Sequence, residues 1–111
     1  MTGVQLPTPS LVIDRDALDH NIATIGETLP GRRLRPHVKA FKSTGLARRL
    51  FDAGHRTFTC ATVREAEGLV AAGLGEDLLL ANEIVDHDQL ARLAALEPAV
   101  TVAADLSLIH I

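Results

Sequence analysis

The sequence predicts an α/β fold that forms the N-terminal half of a (β/α)8 barrel. Short apolar segments alternate with amphipathic segments of helical period from residue 10 to residue 103. Short loops join them, which favours a parallel sheet with right-handed crossovers. The glycine-rich phosphate loop that the competing doubly wound sheet usually carries does not occur in the sequence. A complete barrel needs about 250 residues, so these 111 residues amount to roughly half of one.

The first predicted elements are a strand and a helix. Pro7 and Pro9 force an extended backbone before the apolar residues Ser10 to Ile13, which we expect to form a short strand. Asp14 or Asp16 can cap the helix that follows. The apolar stripe of this helix consists of Leu18, Ile22, Ile25 and Leu29.

The next unit is a strand from Leu34 to Lys39 and a second helix that ends at Gly54. The predicted inward face of that helix consists of Leu46, Leu50 and Ala53. A third strand spans Thr57 to Ala61. Thr62 and Glu65 then have the spacing of a capping box, in which each side chain accepts a hydrogen bond from the other residue's backbone amide.

The last units continue the same alternation. The helix after Thr62 is expected to turn Ala66, Leu69, Val70 and Gly73 towards the core. Asp77 to Ala81 is almost wholly apolar, as expected of a strand that is covered on both faces. Gly73-Leu74-Gly75 precedes this strand rather than a helix and therefore predicts a simple turn. Asp86 caps a helix that ends before Pro98, and Val100 to Ala103 is the last strand. The inward side chains of that helix are predicted to be Leu90, Leu93 and Ala94.

Composition restricts the class of protein. A net charge of −3 and 3% aromatic residues argue against nucleic acid as a partner, because phosphates need basic surface and bases need stacking partners. No apolar stretch is long enough to span a bilayer, and no secretory signal opens the chain. Cys60 is the sole cysteine, which indicates a reducing compartment. We therefore expect a cytoplasmic protein that does not bind membranes.

Basic residues crowd one segment of the chain. They are Arg32, Arg33, Arg35, Lys39, Lys42, Arg48 and Arg49. This local excess suits a small anion such as a phosphate ester, and a solvated basic face is the competing explanation.

Lys39 is the candidate catalytic residue. It ends a predicted strand, which is where barrel enzymes place their chemistry, and a lysine there can form a Schiff base with a carbonyl cofactor. Arg35 and His37 alternate with Lys39 along the strand, so all three are expected on the same side. Lys42 is the alternative lysine, although it lies beyond the strand end. An ordinary surface lysine is the competing interpretation for both.

Other polar residues follow later strands and are weaker candidates. Thr59, Cys60, Thr62 and Asn82 are placed to line the same barrel mouth, and each also has a plain structural explanation. A catalytic Cys60 is not expected, because no histidine and acid are placed to activate it. The histidines show no metal-ligand spacing, so we predict no complete metal site in this chain.

The segment Arg35-Pro36-His37-Val38-Lys39 resembles the cofactor-lysine segment of the alanine-racemase-like, fold-type III pyridoxal-phosphate enzymes. The resemblance is strongest to the branch of D-threonine aldolases and D-serine dehydratases. The segments 8–14, 16–22, 60–67 and 77–82 look similar to the same family, so the resemblance covers nearly all of residues 8–105. Ala40-Phe41 departs from the branch, whose members often have threonine or methionine and then histidine there. The departure affects the expected reaction more than the cofactor.

The resemblance implies a pyridoxal-phosphate-dependent lyase that acts on a β-hydroxy D-amino acid. Lys39 would hold the cofactor, and Arg35, His37 and Asn82 would contribute to its site. A divalent metal in such relatives is bound near the C-terminus, and a homodimer is implied. The alternatives are an alanine-racemase-type isomerase, a non-enzymatic carrier of the cofactor, and a small α/β binding module with no cofactor.

The resemblance also implies a division of the chain. Residues 1–13 would be an extended segment and strand that pairs with a missing C-terminal β-domain, and residues 14–105 would be barrel strands one to four with their helices. Residues 106–111 match the translation of CTG TCT CTT ATA CAC ATC, the end of a transposon-based sequencing adapter. We expect this tail to be non-native.

Overall fold

A computed structural model of the chain describes residues 5–104. Within that range the helices are α1 (Arg15–Thr28), α2 (Thr44–Asp52), α3 (Val63–Ala71) and α4 (His87–Ala94). The strands in the same range are β1 (Phe58–Cys60), β2 (Leu78–Leu80) and β3 (Thr101–Val102), and a single 3-10 turn spans Gly31–Arg33. The predicted adapter-derived tail, residues 106–111, lies outside the described residues.

The three strands found in residues 5–104 form a parallel sheet in the order β1-β2-β3. Phe58 is in register with Leu78, and Leu79 with Thr101. The bridge from His37 to Thr59 adds a fourth sequential neighbour on the other side of β1. A classic doubly wound sheet reverses its order after three sequential strands, whereas a barrel wall continues in sequence. The predicted α/β fold, as the N-terminal part of a (β/α)8 barrel, is therefore confirmed.

The core lies between one face of the sheet and the helices α2, α3 and α4. Alternate strand residues point into it, and Phe58, Cys60 and Leu80 are fully buried. Burying one such apolar side chain contributes about 1.5–3 kcal/mol. The core consists of Val38, Ala47, Phe58, Cys60, Val63, Ala66, Leu69, Leu74, Leu78, Leu80 and Leu93. The opposite face of the sheet, called the helix-free face because α2, α3 and α4 all pack on the core side, consists of Thr59, Leu79 and Thr101. Thr59 is buried, Leu79 half-buried and Thr101 exposed.

The predicted strand Leu34 to Lys39 is present as a single parallel bridge between His37 and Thr59. Thr59 N donates to Pro36 O at 2.8 Å, and Val38 N donates to Thr59 O at 2.9 Å. The segment therefore lies beside β1 as predicted, but its pairing is too short to count as a strand. Within residues 5–104 it has a strand neighbour on one side only.

The predicted strand over residues 10–13 is not found. These residues adopt neither helix nor strand, and their apolar side chains are exposed, Leu11 by 87%. A β-strand needs a hydrogen-bonded neighbour, and the described residues provide none at this position.

Local capping signals place the helix starts correctly. Asp14, Thr62 and Asp86 are the N-caps of α1, α3 and α4, and each side chain accepts a hydrogen bond from a backbone amide three residues on. Ser43 caps α2 in the same way, and this cap was not predicted from the sequence.

The predicted inward faces need correction at three positions. Ala53 and Gly73 are exposed because α2 and α3 end before them, and Ala94 is exposed at the last residue of α4. Ala47 is instead the buried residue of α2, and Phe51 packs against the core beside it. The core-facing side of α2 is thus rotated from the predicted one.

Helix α1 has no fully buried residue and lies outside the core. An ion pair of 2.7 Å between Asp19 and Arg49 joins it to α2. None of the helices in residues 5–104 has both the length and the apolar character that a membrane crossing requires.

The turn between α3 and β2 depends on two glycines. Gly73 follows the helix with a φ of +77°, which an L side chain rarely adopts. Gly75 is buried, and a Cβ there would lie 2.6 Å from Val70 Cγ2. The predicted simple turn is confirmed, and close packing explains its second glycine.

Candidate active site

The candidate site lies at the carboxyl edge of the parallel sheet, where the strands end. Lys39 follows Val38, whose amide is bonded to Thr59 O, so Lys39 leaves the sheet at the level of the β1 end. Lys39 is exposed, and no ion pair among residues 5–104 includes it. A barrel enzyme places its reacting groups at this edge.

His37 lies next to Lys39 and on the same face of the extended segment. The bridge between His37 and Thr59 places both residues on the helix-free face, as alternation predicts. The backbone amide of Lys39 donates to His37 Nδ1 at 3.2 Å. The His37 side chain thereby helps to orient the backbone that carries Lys39.

Lys42 has a different environment from Lys39. Its ammonium contacts the carboxylate of Glu65 on α3 in an ion pair. Its backbone amide donates to Val38 O at 2.8 Å, and its φ is +49°. Of the two lysines in the chain, Lys42 is thus paired with a carboxylate, and Lys39 is paired with none in the part of the chain that the structure describes.

Glu65 has a larger role than the predicted capping box gives it. Its amide donates to Thr62 Oγ1 at 3.1 Å, as predicted, but its own Oε1 accepts from the amide of Ala61 rather than from that of Thr62. Its other oxygen, Oε2, is left to bind Lys42. Burial raises the pKa of Glu65, but the hydrogen bonds from Lys42 and Ala61 outweigh it, so this pKa lies below the ordinary value.

Asn82 and Thr62 reach the same edge and serve the backbone there. Asn82 Nδ2 donates to Ala61 O at 3.3 Å, and its Oδ1 accepts from the amide of Glu83 at 3.0 Å. The Asn82 side chain therefore ties the loop after β2 to the loop after β1. Thr62 is exposed and caps α3.

Cys60 is fully buried on the helix-facing side of β1. Burial, with a further contribution from the charge of Glu65, raises the pKa of the Cys60 thiol to about 11. The thiol is therefore protonated at neutral pH and unsuited to nucleophilic attack, in agreement with the sequence expectation.

Arg35 is not brought to Lys39. Its guanidinium donates to Phe58 O and Asp77 O, both at 3.1 Å, and to Asp77 Oδ1 at 2.9 Å. Phe58 begins β1 and Asp77 precedes β2, so Arg35 lies at the amino edge of the sheet. Arg35 and Lys39 are four positions apart, a span of about 13 Å in extended chain.

The basic segment does not form one anion-binding patch. Arg32 pairs with Glu76 at 2.9 Å and Arg49 pairs with Asp19 at 2.7 Å, at different places on the surface. Arg48 Nη2 donates to the carbonyl oxygen of Ala72. Much of the local positive charge is thus divided among separate partners, which favours the alternative of a solvated basic face over a common anion site.

A cleft of about 500 Å³ opens between the starts of α2 and α3, and its lining includes Lys42, Ser43, Thr62 and Glu65. Lys39 does not line it.

No group of three or more potential metal ligands occurs in the part of the chain that the structure describes.

The comparisons with known proteins identify the family. Residues 13–110 match the family described as alanine racemase, N-terminal domain, and the chain belongs to this fold-type III, pyridoxal-phosphate-dependent family. It is 41% identical over 88 residues to a D-threo-3-hydroxyaspartate dehydratase from a Delftia species, covering 78% of this chain and 23% of that protein. It is 35% identical over 111 residues to a 3-hydroxy-D-aspartate aldolase from Paracoccus denitrificans, covering 95% and 28% respectively.

A solved structure agrees with these relatives. The D-threonine aldolase from Filomicrobium marinum superposes with a TM-score of 0.80 at 33% identity, covering 90% of this chain and 28% of that one. The chain therefore spans about a quarter of the length of the relatives that it matches.

The residues at the carboxyl edge fit the family's cofactor. Pyridoxal phosphate offers an aldehyde, and the Lys39 amine is an exposed primary amine at the strand end with no ion-pair partner in residues 5–104. His37 lies beside it on the helix-free face. Lys42 fits less well, because its amine is engaged by Glu65.

The contact between Lys42 and Glu65 was not foreseen from the sequence. The capping-box spacing identified Glu65, but it predicted only one contact for the carboxylate, with the amide of Thr62 at the start of the same helix. The sequence did contain a signal for this contact. Lys42 follows the segment 34–39, Glu65 follows β1, and their charges are opposite. Because the two segments are parallel neighbours, their carboxyl ends lie at the same edge of the sheet.

Proposed function

We propose that this chain is the N-terminal part of a pyridoxal-phosphate-dependent lyase that acts on a β-hydroxy D-amino acid, with Lys39 as the catalytic residue. The observation that carries the proposal is the different state of the two lysines. The Lys39 amine lies at the carboxyl edge of a barrel wall and takes part in no ion pair within residues 5–104, whereas Lys42 is held by Glu65.

Lys39 would hold the cofactor through its Nζ, because a primary amine can condense with the cofactor aldehyde with loss of water. The bound cofactor supplies an electron sink for a bond broken at the substrate Cα. His37 orients the Lys39 backbone through its Nδ1, and Asn82 fixes the adjoining loop through Ala61.

The substrate class is supported by the relatives. Two curated relatives bear names that specify a 3-hydroxyaspartate, and the solved neighbour is named for D-threonine. All three are β-hydroxy amino acids. An alanine-racemase-type isomerase is the second candidate, favoured by the description of the matching family.

Further parts of the proposal concern the whole protein. We propose that residues 10–13 pair with a β-domain outside this chain, which is supported by the exposure of Leu11 and its neighbours. We also propose that the whole protein is a cytoplasmic homodimer without affinity for nucleic acid. A divalent metal would be bound by residues outside this chain.

Of the predicted cofactor-binding residues, the proposal keeps Lys39, His37 and Asn82. Arg35 is reassigned to the support of the strand starts.

Product analysis tests the reaction. The complete gene product, loaded with pyridoxal phosphate, is incubated with D-threonine and with D-threo-3-hydroxyaspartate. Cleavage of Cα–Cβ yields glycine and an aldehyde, whereas loss of the β-hydroxyl yields a 2-oxo acid and ammonia. Either outcome supports a lyase. Turnover that yields only the mirror-image amino acid supports the isomerase, and no turnover of either kind contradicts the proposal.

A further inference from the structure

We propose that Glu65 and Lys42 are positioning residues that set the turn carrying Lys39. This inference rests on the proposed function of Lys39 and extends it, because it gives the ion pair a part in cofactor attachment. Neither residue needs to touch the cofactor. They act through the backbone of residues 39–42.

The turn of residues 39–42 is hydrogen-bonded at both of its ends, and the residues at its centre are exposed to solvent. On one side, Val38 is buried and its amide is bonded to Thr59 O at 2.9 Å. On the other side, Lys42 returns to Val38 O through its own amide at 2.8 Å. Lys39 and Ala40 lie between these points and are exposed. Between the anchors, Lys39 N donates to His37 Nδ1 at 3.2 Å and Phe41 N donates to Val38 O at 3.3 Å. The placement of the Lys39 backbone therefore depends on the two anchors together with these bonds.

The Lys42 anchor needs help from outside the turn. Its φ of +49° is in the left-handed region, which a residue with a Cβ occupies only when its surroundings enforce it. The surrounding feature that contacts the Lys42 side chain is the Glu65 carboxylate.

Glu65 is a rigid partner. Its side chain is 10% exposed, and Oε1 is fixed by the amide of Ala61 at 2.9 Å. Its helix is packed into the core through Val63, Ala66 and Leu69. An ion pair to such a fixed carboxylate orders the lysine more than one between two mobile surface side chains.

The geometry separates this role from helix capping. The amide of Glu65 donates to Thr62 Oγ1, and Glu65 Oε1 accepts from Ala61, whereas Oε2 serves Lys42. A glutamine at position 65 preserves the first two bonds and removes the charge that binds Lys42. Glu65→Gln therefore tests the positioning role with little effect on the start of α3.

The experiment measures the rate at which pyridoxal phosphate attaches to the complete apo-protein, followed by its yellow absorbance, across a range of pH. Glu65→Gln and Lys42→Met are each expected to slow attachment by about tenfold, because a displaced amine reaches the aldehyde in fewer productive orientations. The double variant is expected to be no slower than either single variant, since both remove the same contact. Glu67→Gln is the matched control, because Glu67 lies on the same helix and pairs with Arg92 instead.

The outcomes separate the two proposals. Slowing by each single variant without further slowing in the double variant supports the positioning pair. Unchanged rates, or independent effects that multiply in the double variant, overturn it, even if thermal stability falls. Lys42→Met keeps the test decisive if Glu65→Gln folds poorly, because the Lys42 side chain is 63% exposed. A wild-type protein that attaches cofactor at a residue other than Lys39 overturns the proposed function itself.

Discussion

Lys39 and Lys42 lie on the same turn, and their amines differ in ion pairing. The Lys42 ammonium contacts the Glu65 carboxylate, whereas Lys39 takes part in no ion pair within residues 5–104. Because these are the two lysines of the chain, the difference supports Lys39 as the residue proposed for covalent chemistry.

Removal of the Glu65 charge is expected to change how stability depends on pH. The pKa of Glu65 is lowered in the folded protein, so its stabilisation is complete above the ordinary pKa of a glutamate and is lost as the pH falls through the lowered value. At neutral pH, Glu65→Gln is expected to lower the free energy of unfolding by about 1–2 kcal/mol. Urea unfolding of the complete protein at several pH values measures the difference.

The difference in free energy of unfolding between wild type and Glu65→Gln should become smaller as the pH falls. If this difference stays constant down to strongly acidic pH, the stabilisation does not come from the ionised carboxylate. Glu67→Gln is expected to have a smaller effect, because the Glu67–Arg92 pair is on the surface and is screened by water.

The Cys60 thiol is expected to be unreactive in the native protein. With a pKa of about 11 it is thiolate to only about one part in a thousand at pH 8, and its side chain is fully buried. Peptide mass analysis after iodoacetamide treatment should find Cys60 unmodified in the folded protein and modified in denaturant. Rapid native modification contradicts the predicted environment.

Substitution of Arg35 is expected to affect stability rather than cofactor attachment. Arg35→Gln removes hydrogen bonds to Phe58 O and to Asp77, and is expected to cost about 1–3 kcal/mol of unfolding free energy. Cofactor attachment in the folded variant should match that of wild type. Arg33→Gln is the control for charge, because no ion pair within the described residues includes Arg33. A stable Arg35→Gln protein that no longer retains cofactor restores the role predicted from the sequence.

Replacement of two glycines in the α3 region by alanine should change the free energy of unfolding in opposite directions. At Gly75 the new Cβ would lie 2.6 Å from Val70 Cγ2 and 3.0 Å from Val70 Cα, so Gly75→Ala is expected to cost about 1–3 kcal/mol. At Gly68 nothing lies within 4 Å, so Gly68→Ala is expected to add about 0.5–1 kcal/mol through helix propensity. Thermal unfolding of both variants checks the pair. Equal shifts contradict the close packing inferred at Gly75.

The features that the sequence predicted well are local ones. A cap such as Asp14 or Asp86 acts within three residues, so its pattern is visible without knowledge of the fold. Strand lengths were overestimated, as with the predicted strand over residues 10–13, because pairing depends on neighbours that are distant in sequence.

The candidate site was predicted in part for the same reason. Lys39 and His37 share a face because alternation is a local property of extended chain. The contact of Lys42 with Glu65 spans 23 residues and that of Arg35 with Asp77 spans 42, so both depend on the register of the assembled sheet. The sequence predicted Arg35 on the same side as Lys39, whereas the structure places its guanidinium at the amino edge of the sheet, at the other end of the segment from Lys39.

The most direct test of the central claim is the position of the covalent label after borohydride reduction of the complete, cofactor-loaded protein. Reduction adds hydride to the carbon of the carbon–nitrogen double bond and a proton to the nitrogen, so the bond survives proteolysis and mass analysis. Lys39 should carry the label, Lys39→Arg should abolish it, and Lys42→Arg should retain it at Lys39. A label on Lys42, on another residue, or on none contradicts the account.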